Sequence, residues 1–201
     1  MLGLPQSTEV KRPMPKAQIY KKFELKQAQR DAFDKDIARL DIVNLIAPQT
    51  IPAIAEGNEV KAIFVVDVEL KHATYDAKNI ALISKLIPQR MIFVLRFEDK
   101  MQIAVYHTKL FTTSWQSLDS ANLTLSGLNL DIVWQNIVSS IGEVELAQGK
   151  SLTDQIKADE ERSKIMRQIE NLERQMRSTS QTHRQREIYA QLKKLKAILH
   201  G

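Results

Sequence analysis

The sequence predicts an α/β fold: a mixed sheet with flanking helices, followed by a C-terminal antiparallel helical hairpin of coiled-coil type. Two observations predict it. Between Val60 and Tyr106 the chain reads KAIFVVDVELK, DAKNIALISKLIP, MIFVLRF and MQIAVY, which is strand, helix, strand, strand and holds most of the apolar density. From Ser151 onward, apolar residues recur at helical spacing in a charged background. These give an α/β domain over 1–148 and a hairpin appendage over 151–201.

Each element has a local reason. Pro5, Pro13 and Pro15 hold residues 1–15 extended, because proline fixes φ and biases its predecessor away from helix. Leu2 and Leu4 tack this arm onto the domain. A short helix follows over 16–23 and a longer one over 26–46, where Phe33, Ile37, Leu40 and Val43 make one stripe and Pro48 forbids continuation. Residues 50–55 read as a strand, with Glu56-Gly57-Asn58 as the turn. In the next strand Phe64, Val66, Val68 and Leu70 share one face. Ile63, Val65, Asp67, Glu69 and Lys71 share the other, which turns from apolar to charged toward its C-terminal end.

Asp76 is placed to cap a helix over 77–87, ended by Pro88. Residues 91–97 form a central strand, Glu98-Asp99-Lys100 a turn, and 101–106 a half-exposed partner strand. The Ser, Thr and Asn content of 108–127 predicts irregular backbone over a buried Trp115 and Leu118. Asn129 caps a helix over 130–141 with Val133, Ile137 and Ile141 inward, and Gly142 stops it at the C′ position. Ser151-Leu-Thr-Asp154 is a capping pattern. Ile165, Ile169, Leu172 and Met176 then repeat, Ser178-Thr179-Ser180 interrupts, and Ile188, Leu192, Leu195 and Leu199 repeat again. A two-helix seam of this length is marginal alone, so these eight residues are the predicted partner-binding set, for another protein or for a second copy as a homo-oligomer.

Composition bounds the function. The chain has 201 residues, 43% of them hydrophobic, so it can build a real core. No run approaches the roughly 18 apolar residues of a membrane span, and the opening MLGLPQSTEVKRPMP has no apolar signal region. With no cysteines, disulfides and Cys-based zinc sites are excluded, and a cytoplasmic location is the simplest expectation. The net charge of +5 permits nucleic-acid contact. Lys11, Arg12, Lys16, Lys21 and Lys22 are the candidate phosphate contacts. Glycine-rich phosphate loops and the Gly-x-Ser-x-Gly elbow are absent, which disfavours dehydrogenase, kinase and serine hydrolase activities.

One constellation points to chemistry. Asp67, Glu69 and Lys71 alternate on one strand face, as in the Glu-x-Lys half of a metal-dependent nuclease site. There Asp67 and Glu69 would hold Mg²⁺ and Lys71 would position a hydroxide. The acidic partner on a preceding strand is missing; Glu56 or Glu59 would have to serve. The plain alternative is a strand end with a salt bridge on a solvated face. The four histidines show no ligand spacing.

The blocks LGLPQSTEV, IAPQTI, VDVELK, KLIPQRMIFVLRF, SGLNLDIVWQNIV and the closing QLKKLK, in that order, resemble the bacterial domain-of-unknown-function family 4391. The resemblance covers nearly the whole chain. It implies an accessory subunit of a restriction-type or phage-defence system, working beside a helicase or DNA methyltransferase. The tail is also loosely similar to the helical hairpins with which DNA-repair proteins dock, without the alanine pairs of that motif. The expected function is therefore a cofactor-free scaffold that grips its partner through the hairpin and touches DNA with its basic arm. The alternative is the Mg²⁺-dependent nuclease on Asp67, Glu69 and Lys71.

Overall fold

Strands β3 (Ile63–Leu70) and β4 (Arg90–Phe97) run parallel, Val66 level with Phe93 and Val68 level with Leu95. A parallel pair needs a crossover, and helix α3 (Ala77–Ile83) supplies it. The computed structural model describes residues 2–118, 122–145, 151–179 and 181–200. Its chain divides into two compact units, Met1–Glu145 and Leu146–Gly201.

Around the parallel pair the first unit adds antiparallel neighbours. On one side come β2 (Ile37–Ile46) and the edge strand β1 (Glu9–Pro13); on the other come β5 (Lys100–Tyr106), β6 (Leu110–Thr112) and β7 (Gln116–Ser117). Among the described residues the sheet has seven strands, in the order β1-β2-β3-β4-β5-β6, with β7 paired to the other end of β5. Helices α1 (Lys16–Lys22) and α2 (Gln27–Asp36) join α3 over one face, where Ile19, Phe33, Ile80 and Ile83 pack with Leu40, Ile42, Val66, Val68, Phe93 and Leu95. The opposite face presents Ile63, Val65, Ile92, Val94, Ile103 and Val105, all buried. Helix α4 (Leu130–Gly142) lies on that side, with Val133, Trp134, Ile137, Val138 and Ile141 buried.

The predicted helix over 26–46 is half wrong. It stops at Asp36, and residues 37–46 are strand β2. The cause is two bulges, one between Ile37 and Arg39 and one between Ile42 and Asn44. The first sets Ile37 and Leu40 three apart on one sheet face, which imitates helical spacing. The second moves Asn44 and Ile46 to the face opposite Ile42. Asn44 is buried there, and its amide donates to Thr8 Oγ1 (2.8 Å), tying in the N-terminal arm. Leu2 is buried as expected and Leu4 half-buried.

The strand predicted at 50–55 is a turn. Thr50 Oγ1 donates to the Leu45 carbonyl (2.7 Å) and accepts from Ala47 N–H (3.0 Å), and Pro52 has no N–H for a ladder. The place beside β3 belongs to β2 instead. Helix α3 is capped by Asp76, which accepts from Lys78 N–H, but ends at Ile83 rather than 87. Pro88 cannot donate to the Ser84 carbonyl that a longer helix would offer it. Strand β5 is buried on both faces rather than half-exposed. Its Gln102 accepts from Tyr75 Oη (2.8 Å) and donates to the Thr113 carbonyl (2.6 Å), so the amide is buried without loss. Trp115 and Leu118 are half-buried, and short strands β6 and β7 form where irregular backbone was predicted. Asn129 caps α4 by accepting from Ile132 N–H (3.0 Å), as expected. The left-handed residue beyond it is Glu143 (φ 51°), not Gly142. Gly142 is the last helical residue, and a Cβ there would lie 2.7 Å from the Phe111 ring.

The loop into β3 is held by α4. Three successive backbone N–H groups, of Asn58, Glu59 and Val60, converge on the Asp131 carboxylate at 2.6, 3.2 and 2.8 Å. Gly57 permits this approach, since a Cβ would stand 2.8 Å from the Asp131 backbone nitrogen. Burial alone would raise the Asp131 carboxyl; the N–H groups of Val60, Asn58 and Glu59 outweigh it and hold it below the usual carboxylate range. We expect Asp131→Ala to destabilise the domain by about 1 kcal/mol after solvent screening, measured by urea denaturation. Because the folded value is depressed, this contribution is complete above about pH 4 and fades as pH falls through the folded value. The gap between wild type and variant should therefore narrow as the pH falls below the ordinary carboxylate range; a gap that stays constant through that range contradicts the clamp.

In the second unit α5 (Leu152–Ser178) and α6 (Thr182–His200) fold back on one another. Ser151 caps α5 by accepting from Asp154 N–H (3.1 Å). Thr179 ends it; Ser180, the last residue of the predicted interruption, lies outside the described residues.

Candidate functional site

Two places carry the sequence-predicted site residues: the charged end of the sheet and the helical hairpin. At the sheet end, register places Asp41 of β2 directly across from Asp67 of β3, and Arg39 across from Glu69. On the other side Glu69 is level with Arg96 of β4. Side chains at paired positions share a face. Three carboxylates and two guanidiniums therefore form a patch across three strands, continuous with the apolar face beneath.

Asp67 is buried (7% exposed), and both its oxygens are engaged by Arg96, Nε to Oδ1 at 2.5 Å and Nη2 to Oδ2 at 2.6 Å. Such a fork is the strong form of an ion pair. The hydrogen bond to Asp67 raises the Arg96 guanidinium above its ordinary value, with further support from the charges of Asp67, Glu69 and Asp41. Arg39 makes a second fork, to Asp41, at 2.5 and 3.1 Å. Asp41 is the neighbouring-strand carboxylate that a two-carboxylate metal site would require, yet buried Asp67 and half-buried Asp41 each already face an arginine.

Glu69 is exposed. Lys71 lies one residue past the strand, its backbone N–H on the Asp36 carbonyl (2.8 Å), and its charge reaches Asp34. Mg²⁺ at Asp67 would have to displace the Arg96 guanidinium, so these residues do not fit the ion. Among the described residues no group of three His, Asp or Glu side chains is placed to hold a metal. What the arrangement does chemically is tie β4 to β3 through the Arg96–Asp67 fork where the sheet meets solvent, while the Arg39–Asp41 fork lies within β2. The sequence reasoning missed Arg39, Asp41 and Arg96. A lone arginine inside the apolar run MIFVLRF was the available signal, because a charge there requires a partner.

The basic arm is split. Lys11 and Arg12 are exposed on edge strand β1, and Lys21 is exposed on α1. Lys16 Nζ instead donates to Asp34 Oδ1 and to the Ile37 carbonyl, both at 2.6 Å, and Lys22 Nζ donates to the Leu86 carbonyl. Three of the five candidate phosphate contacts are thus uncommitted. Of the histidines, His107 Nδ1 accepts from the Trp134 indole N–H (3.3 Å).

In the hairpin, Ile169, Ile188 and Leu192 are buried, with Ile165, Leu172, Leu195 and Leu199 packed against them. Seven of the eight predicted partner-binding residues therefore build the seam between α5 and α6; Met176 remains outside it. Among the described residues, the hairpin holds four of the six exposed large apolar side chains: Met166 (50%), Met176 (36%), Tyr189 (63%) and Ile198 (62%). Lys196 crosses from α6 to Glu173 of α5 at 2.8 Å.

A mixed α/β sheet domain and a two-helix unit define the class. Residues 2–199 match the family described as a domain of unknown function, DUF4391, and the chain belongs to that family. No curated protein and no solved structure matches it. No helix of the described residues is long and apolar enough to cross a membrane.

The Asp67–Arg96 pair predicts an asymmetric mutational response. Arg96→Met should leave Asp67 buried without a partner and lower stability by roughly 2–3 kcal/mol, below the range for a fully buried pair because Arg96 is partly exposed. Asp67→Leu together with Arg96→Met should recover most of that loss. Chemical denaturation of the three variants checks it; a double variant as unstable as the single one would refute the assignment.

Proposed function

We propose that this chain is a non-catalytic accessory protein that docks another protein through its C-terminal hairpin. The observation carrying this reading is the apolar surface left on the hairpin after its own seam is built. Met166, Met176, Tyr189 and Ile198 stand in solvent on a unit whose seam, among the described residues, buries Ile169, Ile188 and Leu192. A two-helix seam of this size gains stability when a further element covers it. The resemblance to family 4391 supplies the setting: a restriction-type or phage-defence system of bacteria, with a helicase or methyltransferase component as the partner. Exposed Lys11, Arg12 and Lys21 would add phosphate contacts that position the assembly on DNA without reading sequence.

The test is co-expression of the full chain with a helicase or DNA methyltransferase of a restriction-type system from the same genome. The pair should co-elute on size exclusion. Replacing Met166, Met176, Tyr189 and Ile198 together by Gln keeps the seam and should weaken association about tenfold or more. If neither protein co-elutes with the wild-type chain, or the fourfold variant binds as well, the docking proposal falls. In the same cells Glu69→Ala with Lys71→Ala should leave biological activity intact. Loss of activity in that variant, with partner binding retained, would favour the nuclease alternative.

A further inference from the structure

The two sides of the hairpin differ in charge. One side carries a groove of about 620 Å³ lined by Glu173, Met176 and Arg177 of α5 and by Tyr189, Leu192, Lys193 and Lys196 of α6. Its floor is apolar, from Met176, Tyr189 and Leu192. Its rim holds three cations and one anion, and that anion, Glu173, is already paired with Lys196. The hydrogen bond from Lys196, with the charges of Lys196 and Arg177, holds the Glu173 carboxyl below its usual range, so it stays ionised and committed at neutral pH. The other side carries a groove of about 400 Å³ lined by Gln168, Asn171, Leu172, Gln191, Lys194 and Leu195, with a single cation. Helix α6 as a whole has five Lys and Arg residues against one acid, Glu187.

From this we infer that the Met176–Tyr189–Leu192 groove is the docking site for an acidic amphipathic helix of the partner protein. The inference rests on the docking function proposed above and names the chemistry of what docks. The groove runs along α6 from Tyr189 to Lys196, roughly 10 Å or two turns. That length accepts apolar side chains at i, i+3 or i+4, and i+7 of an incoming helix. Carboxylates flanking that stripe would meet Arg177 and Lys193, for which no ion pair within 4 Å is formed among the described residues.

A second copy of this chain is the poorer occupant. A two-fold axis through this groove sets its cationic rim against another cationic rim, and like charges brought together oppose the contact. Nucleic acid is poorer as well, because phosphate recognition uses the rim but leaves Met176, Tyr189 and Leu192 without a role. The opposite groove, nearly neutral and amide-lined, offers neither sign of steering.

The probes are two synthetic amphipathic helices, each roughly 18 residues long, with the same leucine stripe and either Glu or Lys on the flanks. Binding to the full chain is followed by fluorescence anisotropy at low and at physiological salt. The Glu peptide should bind at least about tenfold tighter than the Lys peptide, and the difference should shrink with salt. Arg177→Glu with Lys193→Glu should invert the preference, and Tyr189→Ala should weaken the Glu peptide about fivefold or more. Lys194→Glu, on the opposite side, should change nothing, and circular dichroism should show every variant helical.

Equal affinity for the two peptides, or an effect of Lys194→Glu as large as that of the groove variants, overturns the inference. So does a dimer of the wild-type chain, seen by sedimentation, that Tyr189→Ala dissociates. Duplex DNA binding that needs Arg177 and Lys193 but ignores Tyr189 overturns it in favour of phosphate. The co-elution experiment separates the two levels. A partner retained by the Arg177→Glu, Lys193→Glu variant but lost by the fourfold Gln variant leaves docking standing and removes only the acidic helix.

Discussion

The parallel pairing of β3 with β4 is the constraint on which the first unit depends. A parallel pair cannot be closed by a hairpin, so the chain must leave the sheet and return through α3. Both faces of such a pair are apolar and both must be covered. Helices α1, α2 and α3 cover one, and α4 lies on the other. The remaining strands extend this pair outward with antiparallel neighbours, and β1, with Pro13 at its end, forms an edge where a missing N–H does no harm.

The same constraint explains the charged end of the sheet. Where the apolar face runs out, β2, β3 and β4 still have to stay in register, and β2 reaches that point through two bulges. The Arg96–Asp67 fork ties β4 to β3 there, and a second fork, Arg39 to Asp41, lies within β2. Residue types that look like a metal-dependent nuclease when read along one strand become a patch of arginine-paired carboxylates when read across three. Chemistry inferred from a single strand is weak for this reason: the neighbours that decide whether a carboxylate is free come from distant sequence.

How far the fold was legible follows the range of the interactions. Local signals were read correctly: Asp76 and Asn129 as caps, the apolar run 91–97 as a strand, the interruption near Thr179, and the alternation of α5 and α6. Three of the failures share one cause. Residues 37–46 looked helical because a bulge reset the spacing of Ile37 and Leu40, and a bulge is specified by the partner strand, not by the strand that contains it. Strand β5 looked half-exposed because Gln102 is polar, and its partners Tyr75 and Thr113 lie outside any local window. The Asp131 clamp was invisible for the same reason, its three donors being more than seventy residues away.

The sequence by itself determined which segments are apolar enough to be buried, where most helices begin, that α5 and α6 pair, and which family the chain belongs to. Those properties follow from side-chain type and short-range spacing, which the chain carries wherever it is. Tertiary structure alone decided which carboxylates face arginines, which basic residues stay exposed, and which apolar hairpin residues stay exposed once the seam has closed. Each of those is a question of what else is within a few ångströms, and only the pairing of strands and helices distant in sequence answers it.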